Sequence, residues 1–106
     1  MFEIKVSIDQ ITGYEHFPGL VKCSFYDAWN HKHLFVDKFL IFTCENITPE
    51  SIFPQKGTIR CELIRKWVDN TGRSILTVST EKPDHVESLD GATEFDLLES
   101  QITIND

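Results

Sequence analysis

The alternation of apolar and polar residues along this chain predicts β-strands. In residues 2–9 every second side chain is apolar, namely Phe2, Ile4, Val6 and Ile8. Successive side chains of a strand point to opposite faces, so a period of two places these residues together against a core. A second strand is predicted over residues 20–26 and a third over 32–43. The third has apolar residues on both faces, and we expect it to bend at residues 37–38 so that each half faces a different layer.

Residues 57–80 predict a long β-hairpin, the most regular part of the pattern. Its first arm places Ile59, Cys61 and Leu63 on one face and polar residues on the other. The segment 69–72 (Asp-Asn-Thr-Gly) supplies the turn, in which Gly72 is free to take a positive φ. The second arm is rich in β-branched residues, which favour strands.

One short helix is predicted near residues 49–53. Thr48 suits the cap position, Pro49 suits the first helical position, and Pro54 ends the helix within two turns. The loop over residues 12–19 contains three aromatic side chains, counting its histidine. We expect them to plug an open end of a barrel, because large aromatic residues are more often buried than exposed.

The C-terminal part of the pattern predicts a second hairpin and a weakly structured end. Asp90-Gly91 separates two short runs, 85–88 and 93–97, which is a strong hairpin signal. The tail 99–106 is either a frayed edge strand or disordered. Together the segments predict an all-β protein, a small single-domain barrel or sandwich over residues 1–106 with about six to seven antiparallel strands.

Length and composition agree with this class. A chain of 106 residues supports one core, and a hydrophobic fraction of 41% is typical of a folded domain. No apolar run reaches the roughly 18 residues of a membrane span, so no membrane partner is expected. The first residues alternate in polarity and lack the continuous apolar region of a signal peptide. We therefore expect a cytoplasmic protein.

The cysteines and other reactive residues give no catalytic signature. Cys23, Cys44 and Cys61 are odd in number and contain no Cys-x-x-Cys spacing, which argues against a disulfide framework and a zinc knuckle. Cys23 and Cys61 occupy apolar strand positions, so we expect unreactive buried thiols. The sequence has no Gly-x-Ser-x-Gly elbow and no glycine-rich phosphate loop. These observations predict neither an enzyme nor a cofactor.

The charge of the chain is concentrated at its C-terminal end. Residues 1–80 contain nine acidic and nine basic residues, whereas residues 81–106 contain eight acidic residues and one lysine. Such a segment repels nucleic acid and attracts basic protein partners. Val86 and Phe95 should anchor it to the core and so fix the acidic patch in place. The candidate partner-binding residues are Glu81, Asp84, Glu87, Asp90, Glu94 and Asp96.

Two other functional hypotheses remain open. The first is a nucleic-acid-binding barrel that stacks bases on its surface aromatic residues Tyr26, Trp29 and Trp67, with Trp29 and Trp67 as the main candidates. Its positive patch would be the basic residues of the long hairpin, Arg60, Arg65, Lys66 and Arg73. The second is a small metal protein or enzyme at His31 and His33, whose spacing puts both imidazoles on one face of a strand. Asp27 and Asp37 are available as a third ligand only if the turn folds back.

The last half of the chain carries a pattern of short motifs. These are Gly-x-Ile-x-Cys-Glu, a polar turn with Asp and Gly, Ser-Thr-Glu-x-Pro, Glu-Ser-x-Asp-Gly and a Phe-acidic pair. The matching residues are Gly57, Ile59, Cys61, Glu62, Asp69, Gly72, Ser79, Thr80, Glu81, Pro83, Glu87, Ser88, Asp90, Gly91 and Phe95. In this pattern the chain resembles a group of small, uncharacterised bacterial β proteins. The resemblance implies a compact bacterial domain and no particular activity.

In general character the chain is also similar to cytoplasmic immunity proteins, which neutralise bacterial toxins. This similarity rests on small size, acidity and the lack of catalytic residues, and it carries no motif. It leads to the first functional hypothesis, an immunity protein that covers the active site of a basic toxin, often a nuclease in such systems. The acidic residues within 81–99 would make the contact.

Overall fold

Seven antiparallel strands and one short α-helix make up most of the described chain. The structure is a computed structural model and describes residues 1–12 and 19–105. In chain order the elements are β1 (Phe2–Ile11), β2 (Leu20–Tyr26), β3 (Lys32–Lys38), α1 (Phe39–Phe42), β4 (Gln55–Val68), β5 (Ser74–Ser79), β6 (Glu94–Leu98), a 3₁₀ turn (Glu99–Gln101) and β7 (Ile102–Ile104). The all-β prediction is therefore confirmed. The predicted plug, residues 13–18, lies outside the described residues.

Strand β4 connects two parts of one curled, half-barrel sheet. The strand order is β3-β2-β1-β4-β5-β6, with β7 also paired to β1. β4 pairs with β1 through residues 55–61 and with β5 through residues 62–68. We call β1, β2, β3, β7 and the first half of β4 the N-terminal sheet. The second half of β4, β5 and β6 form the hairpin sheet, and the β4–β5 hairpin confirms the prediction for residues 57–80.

The core lies on the inner face of the curled sheet. Its buried members are Ile4, Val6, Ile8, Val21, Cys23, Phe25, Phe35, Phe42, Ile47, Ile59, Cys61, Leu76, Val78, Val86, Phe95 and Leu97. The Phe25 ring packs 5.4 Å from Phe35 and 5.2 Å from Phe95, measured between centroids. Burying one such side chain stabilises the fold by roughly 1.5–3 kcal/mol. Leu63, predicted to join this face, is instead 37% exposed, and it lies next to an irregularity in the β4–β5 register between Leu63 and Arg65.

The short helix predicted near residues 49–53 is wrong in position. That segment contains only a single turn, in which the Ser51 amide donates to the Thr48 carbonyl over 3.0 Å. Two flanking prolines leave too few residues to offset the cost of nucleating a helix. The third strand, predicted over residues 32–43, ends at the predicted bend and is wrong for residues 39–43. The chain instead forms α1 directly after β3, and α1 buries Phe42. Neither helical segment of the described chain has the length and apolar character that a transmembrane helix needs.

The second predicted hairpin is also replaced by a different structure. Residues 80–93 form an irregular strap rather than a strand at 85–88. Val86 is fully buried, the Thr80 hydroxyl donates to its carbonyl, and the Leu89 amide donates to the Leu34 carbonyl of β3. The strap therefore spans from the end of β5 to the edge strand β3. Gly72 has the expected positive φ of 88° in the first hairpin.

The C-terminal tail is an edge strand through residue 104. β7 pairs with the first residues of β1, from Phe2↔Ile104 to Ile4↔Ile102, while β2 pairs with the later residues of the same β1 edge. The Asn105 amide also donates to the Met1 carbonyl over 2.8 Å. The sequence allowed either an edge strand or a disordered tail, and backbone pairing to β1 makes it an edge strand. Residue 106 is not among the described residues.

Candidate functional site

The outer surface of the hairpin sheet brings two tryptophans together. The strand register places Trp67 opposite Ile75, and Arg65 opposite Thr77, which is in turn opposite Asp96. Trp29 comes from the β2–β3 turn, and its ring centroid lies 6.1 Å from that of Trp67. We call this surface the tryptophan face and define it as Trp29, Arg65, Trp67, Arg73, Glu94 and Asp96.

Asp96 connects both indole rings through a chain of hydrogen bonds. The Trp67 Nε1–H donates to the Thr77 Oγ1 over 3.0 Å, and that hydroxyl donates to the Asp96 Oδ1 over 2.6 Å. The Trp29 Nε1–H donates to the other oxygen, Oδ2, over 3.2 Å. Thr77 is only 4% exposed, so its hydroxyl depends on these partners. Asp96, predicted as a partner-binding residue, therefore has an internal role in positioning the two tryptophans.

Each tryptophan of the pair has an arginine over its ring. The Arg65 guanidinium carbon lies 5.6 Å from the Trp67 ring centroid, and that of Arg73 lies 5.5 Å from the Trp29 centroid. The geometry is that of cation–π contacts. Asp69 holds Arg73 in place, with Nε donating to Oδ2 over 2.9 Å. The structure thus unites Trp29 and Trp67 with two of the four basic residues of the nucleic-acid hypothesis, whereas Tyr26 lies in a separate groove with Lys5 and Lys32.

The other two hairpin cations lie elsewhere. Arg60 faces the strap and forms an ion pair with Asp84 at 2.7 Å. Lys66 forms an ion pair with Glu99 at 3.1 Å, and it shares the inner side of the hairpin sheet with Leu76. The four cations therefore do not converge on one nucleic-acid groove.

The turn between β2 and β3 folds back on itself around Asp27. Asp27 Oδ1 accepts the backbone N–H groups of Trp29 and His31, both over 2.9 Å, and Oδ2 lies 2.8 Å from His33 Nε2. Burial raises the pKa of Asp27, but these hydrogen bonds outweigh it and hold the pKa below its ordinary value of 3.8. This carboxylate therefore fixes the turn that presents Trp29.

The same turn contains both residues of the metal hypothesis. His31 Nδ1 lies 3.9 Å from Asp27 Oδ2, and its side chain is largely exposed, whereas His33 packs against the Phe95 ring at 4.8 Å. Asp27 does fold back toward the two imidazoles. Nevertheless, within residues 1–12 and 19–105, no group of three or more His, Cys, Asp or Glu side chains is arranged to hold a metal ion.

The six predicted partner-binding residues are distributed between the strap and β6. On the strap, Asp84 pairs with Arg60, and Glu87 lies 2.9 Å from His85. Asp90 accepts the Ser88 hydroxyl, and this hydrogen bond lowers the pKa of its carboxyl. Asp84 and Asp90 thus have internal roles in shaping the strap. The sequence did not distinguish them from the other acidic residues.

Glu81 and Glu94 are the acidic residues of this set with the greatest freedom to bind. Both are exposed, and neither side chain forms a hydrogen bond or ion pair with any residue that the structure describes. Glu94 lies opposite Ser79 in the β5–β6 ladder, and Ser79 precedes Glu81 by two residues. An open cleft of about 260 Å³ borders this position and is lined by Asp27, Trp29, His33, Arg65, Thr77, Glu94, Phe95 and Asp96.

Two of the three cysteines are buried in strands. Cys23 and Cys61 are buried, while Cys44 is exposed. Burial, with a smaller contribution from nearby carboxylates, raises the pKa of both the Cys23 and the Cys61 thiols to about 12. Because thiolates are the reactive form, these two residues are poor nucleophiles. The interpretation of Cys23 and Cys61 as small hydrophobic residues agrees with their positions.

Sequence reasoning found the tryptophans but missed what holds them. The role of Asp27 in fixing the turn was not predicted, although an Asp that begins a turn is a common sign of side-chain capping. Thr77 had no sequence signal, because its partner Asp96 is reached only through strand pairing. Comparison with known protein families, curated proteins and solved structures finds no match to this chain.

Proposed function

We propose that this protein is a protein-binding module, an immunity protein that neutralises a basic toxin through the tryptophan face and the neighbouring acidic residue Glu81. The observation that carries the proposal is the position of Glu94. Its carboxylate is exposed and makes no bond within the described chain, and it lies on the same face as two ordered tryptophans. A basic side chain of a partner can therefore contact it without displacing an internal ion pair.

The composition of this face supports a protein partner. Tryptophan and arginine are the residues most enriched among those that dominate binding energy at protein interfaces. Trp29 is 39% exposed, and its indole is fixed by the hydrogen bond to Asp96. A side chain that is already ordered loses less conformational entropy on binding. The tryptophan face thus combines large contact area with a low ordering cost.

The charge of the molecule supports a basic partner. The net charge is −7, and its excess lies in residues 81–106. Complementary charge accelerates association and suppresses wrong partners. In a nuclease, the cleft that receives phosphates is positively charged, and exposed carboxylates such as Glu81 and Glu94 compete for the same groups. This argument favours a nuclease among the basic toxins.

The alternative of nucleic acid at Trp29 and Trp67 is less well supported. Each indole already contacts a guanidinium and the other indole, so a base that stacks there competes with these contacts. The adjacent carboxylates also repel phosphate. The metal or enzyme alternative at His31 and His33 has no specific observation in its favour.

The experiment measures binding to the product of the gene next to this one by biolayer interferometry at low and physiological salt. We expect Trp29→Ala to weaken the complex by about fivefold or more, since it removes an interface tryptophan. We expect Glu81→Ala/Glu94→Ala to slow association, most strongly at low salt. Co-expression in a bacterial host should relieve growth inhibition by that gene product, and less so with either variant.

The matched control is Glu45→Ala/Glu50→Ala, which removes two exposed carboxylates away from this face and changes the net charge equally. If the control slows association as much as Glu81→Ala/Glu94→Ala does, the acidic residues act only through the net charge of the protein. Absence of a complex with the wild-type protein, or unchanged affinity of Trp29→Ala, would overturn the proposal.

A further inference from the structure

The outer face of the N-terminal sheet carries a cluster of lysines, although the protein as a whole is acidic. Strand pairing sets Ser7 opposite both Lys56 and Ser24, which fixes the outward side of β1, β2 and β4, and Tyr26 opposite Lys32 extends it to β3. With the alternation along each strand, five lysines point outward on one surface. We call this surface the lysine face and define it by Lys5, Lys22, Lys32, Lys38 and Lys56; Arg60 lies on the same side of β4 but is paired with Asp84.

These lysines keep their charge available. None of them forms an ion pair with a residue of the described ranges, although Lys5 Nζ donates to the Ser100 carbonyl over 3.0 Å. The carboxylates on this face are Glu3 and Asp9. Asp9 accepts the hydroxyls of Ser7 and Ser24, each over 2.7 Å, and Glu3 accepts the Thr58 hydroxyl. Five lysines against two engaged carboxylates leave the lysine face positive in a protein whose net charge is −7.

A groove and an exposed aromatic ring interrupt the lysine face. Along one edge of β1, pairing with β7 is followed by pairing with β2. An open groove of about 500 Å³ lies where the two pairings meet, with Lys5 and Lys32 among its lining residues. Tyr26 also lines the groove and is 52% exposed. Lys32 Nζ lies 5.8 Å from the centroid of the Tyr26 ring. The groove therefore pairs cationic groups with one accessible π surface.

We propose that the lysine face binds single-stranded nucleic acid, with the lysines contacting phosphates and Tyr26 stacking on a base. This activity is separate from the proposed toxin neutralisation and uses a different surface from Trp29 and Trp67. Single strands are bound by surfaces that combine a positive track with aromatic stacking positions, largely without regard to sequence. An anionic lipid surface or an acidic polypeptide would use the lysines but gain nothing from stacking on Tyr26.

The acidic strap limits this surface without neutralising it. Asp84 reaches the border of the lysine face but is paired with Arg60, and Asp90 shares a shallow cleft with Lys32. Lys22 and Lys56 take part in neither contact. More distant acidic residues are screened beyond about 8 Å at physiological ionic strength and beyond about 10 Å at roughly 0.1 M salt. We therefore expect weak, salt-sensitive binding that depends on Lys22 and Lys56.

The test uses fluorescence polarisation with fluorescein-labelled oligo(dT) of about 20 nucleotides, longer than the largest site expected for a small barrel. Lys22→Ala/Lys56→Ala should weaken binding and reduce the slope of log K against log salt by about 1.4, or 0.7 for each lost phosphate contact. The matched control Lys66→Ala/Lys82→Ala removes the same charge outside the lysine face and should bind like the wild type. Circular dichroism verifies that each variant is folded.

Tyr26 separates nucleic acid from other polyanions. Tyr26→Ala should weaken oligonucleotide binding by about fivefold or more, whereas Tyr26→Phe retains the ring and the affinity. Failure of the wild-type protein to bind at low salt would overturn the proposal, as would equal losses in the two lysine variants. Tighter binding to phosphatidylserine vesicles or polyglutamate, unaffected by Tyr26→Ala, would assign the face to lipid or protein instead. Binding of the neighbouring gene product is measured separately, so either proposal can fail alone.

Discussion

Thr77→Val removes the link between the two tryptophans while preserving the shape of the strand. Valine keeps the β-branched form and the strand preference of threonine, so the change is essentially the loss of one hydroxyl. That hydroxyl accepts from Trp67 over 3.0 Å and donates to Asp96 over 2.6 Å. The variant therefore leaves an indole N–H and a carboxylate oxygen without their protein partner.

The expected cost follows from these two hydrogen bonds. A neutral hydrogen bond contributes about 1 kcal/mol and one to a charged group about 1.5–3 kcal/mol. Water can reach the half-buried Trp67 and Asp96 and replace part of the loss. We expect a decrease of about 1–3 kcal/mol in the free energy of unfolding. At about 4 °C per kcal/mol for a domain of this size, the melting temperature should fall by roughly 4–12 °C.

The assay is urea denaturation followed by tryptophan fluorescence, with near-ultraviolet circular dichroism of the native state. The dichroism should weaken because Trp29 and Trp67 lose their fixed geometry. Thr103→Val on β7 is the control, since no described residue forms a hydrogen bond with that side chain. A Thr77→Val protein within about 0.5 kcal/mol of the wild type would refute the reasoning that this chain of hydrogen bonds stabilises the face.

Three further predictions concern the core and the turns. Gly57→Ala should destabilise the fold by about 1–3 kcal/mol, because the new Cβ would lie 2.9 Å from the Phe42 carbonyl oxygen and the Ile8 Cδ1; a thermal melt equal to the wild type would contradict this. At pH 8 a thiol reagent should label only Cys44 in the native protein and all three cysteines after denaturation, so rapid labelling of three would contradict the burial of the other two. The lowered pKa of Asp27 contributes stability above the ordinary carboxyl value of 3.8 that is lost as the pH falls through the folded-state pKa. Asp27→Asn should therefore flatten the decline in unfolding free energy between about pH 5 and 3, and an unchanged decline in urea titrations would reject that assignment.

Local patterns predicted most of the strands because those strands are half-buried. The alternation in residues 2–9 and 20–26 reappears as β1 and β2, and the long hairpin forms with Gly72 at positive φ. The predictions fail where a segment lacks a regular alternation of apolar and polar residues. The 49–53 helix was inferred from prolines and a cap, which permit a helix but supply no buried face to stabilise it.

The strap shows a second reason for error. Asp90-Gly91 makes the local turn that the sequence indicates, with Gly91 at a φ of 84°. The residues before it do not pair as a strand, because Val86 inserts into the core and Leu89 bonds to β3. These contacts with distant residues compete with strand pairing, and a local sequence pattern carries no information about them. The same holds for Asp84, whose partner Arg60 lies 24 positions earlier.

By itself, the sequence determined which side chains alternate toward a core, where the chain must turn, and that the acidic excess is C-terminal. These properties depend on neighbouring residues and on composition, so no tertiary information is needed. Only the tertiary structure decided which surfaces result. Trp29 and Asp96 are 67 positions apart, and strand pairing with a capped turn brings them into hydrogen-bonding distance. The lysine face likewise exists only because four strands are paired in one register. Each strand contributes one or two of the lysines, and the pairing brings them onto one surface.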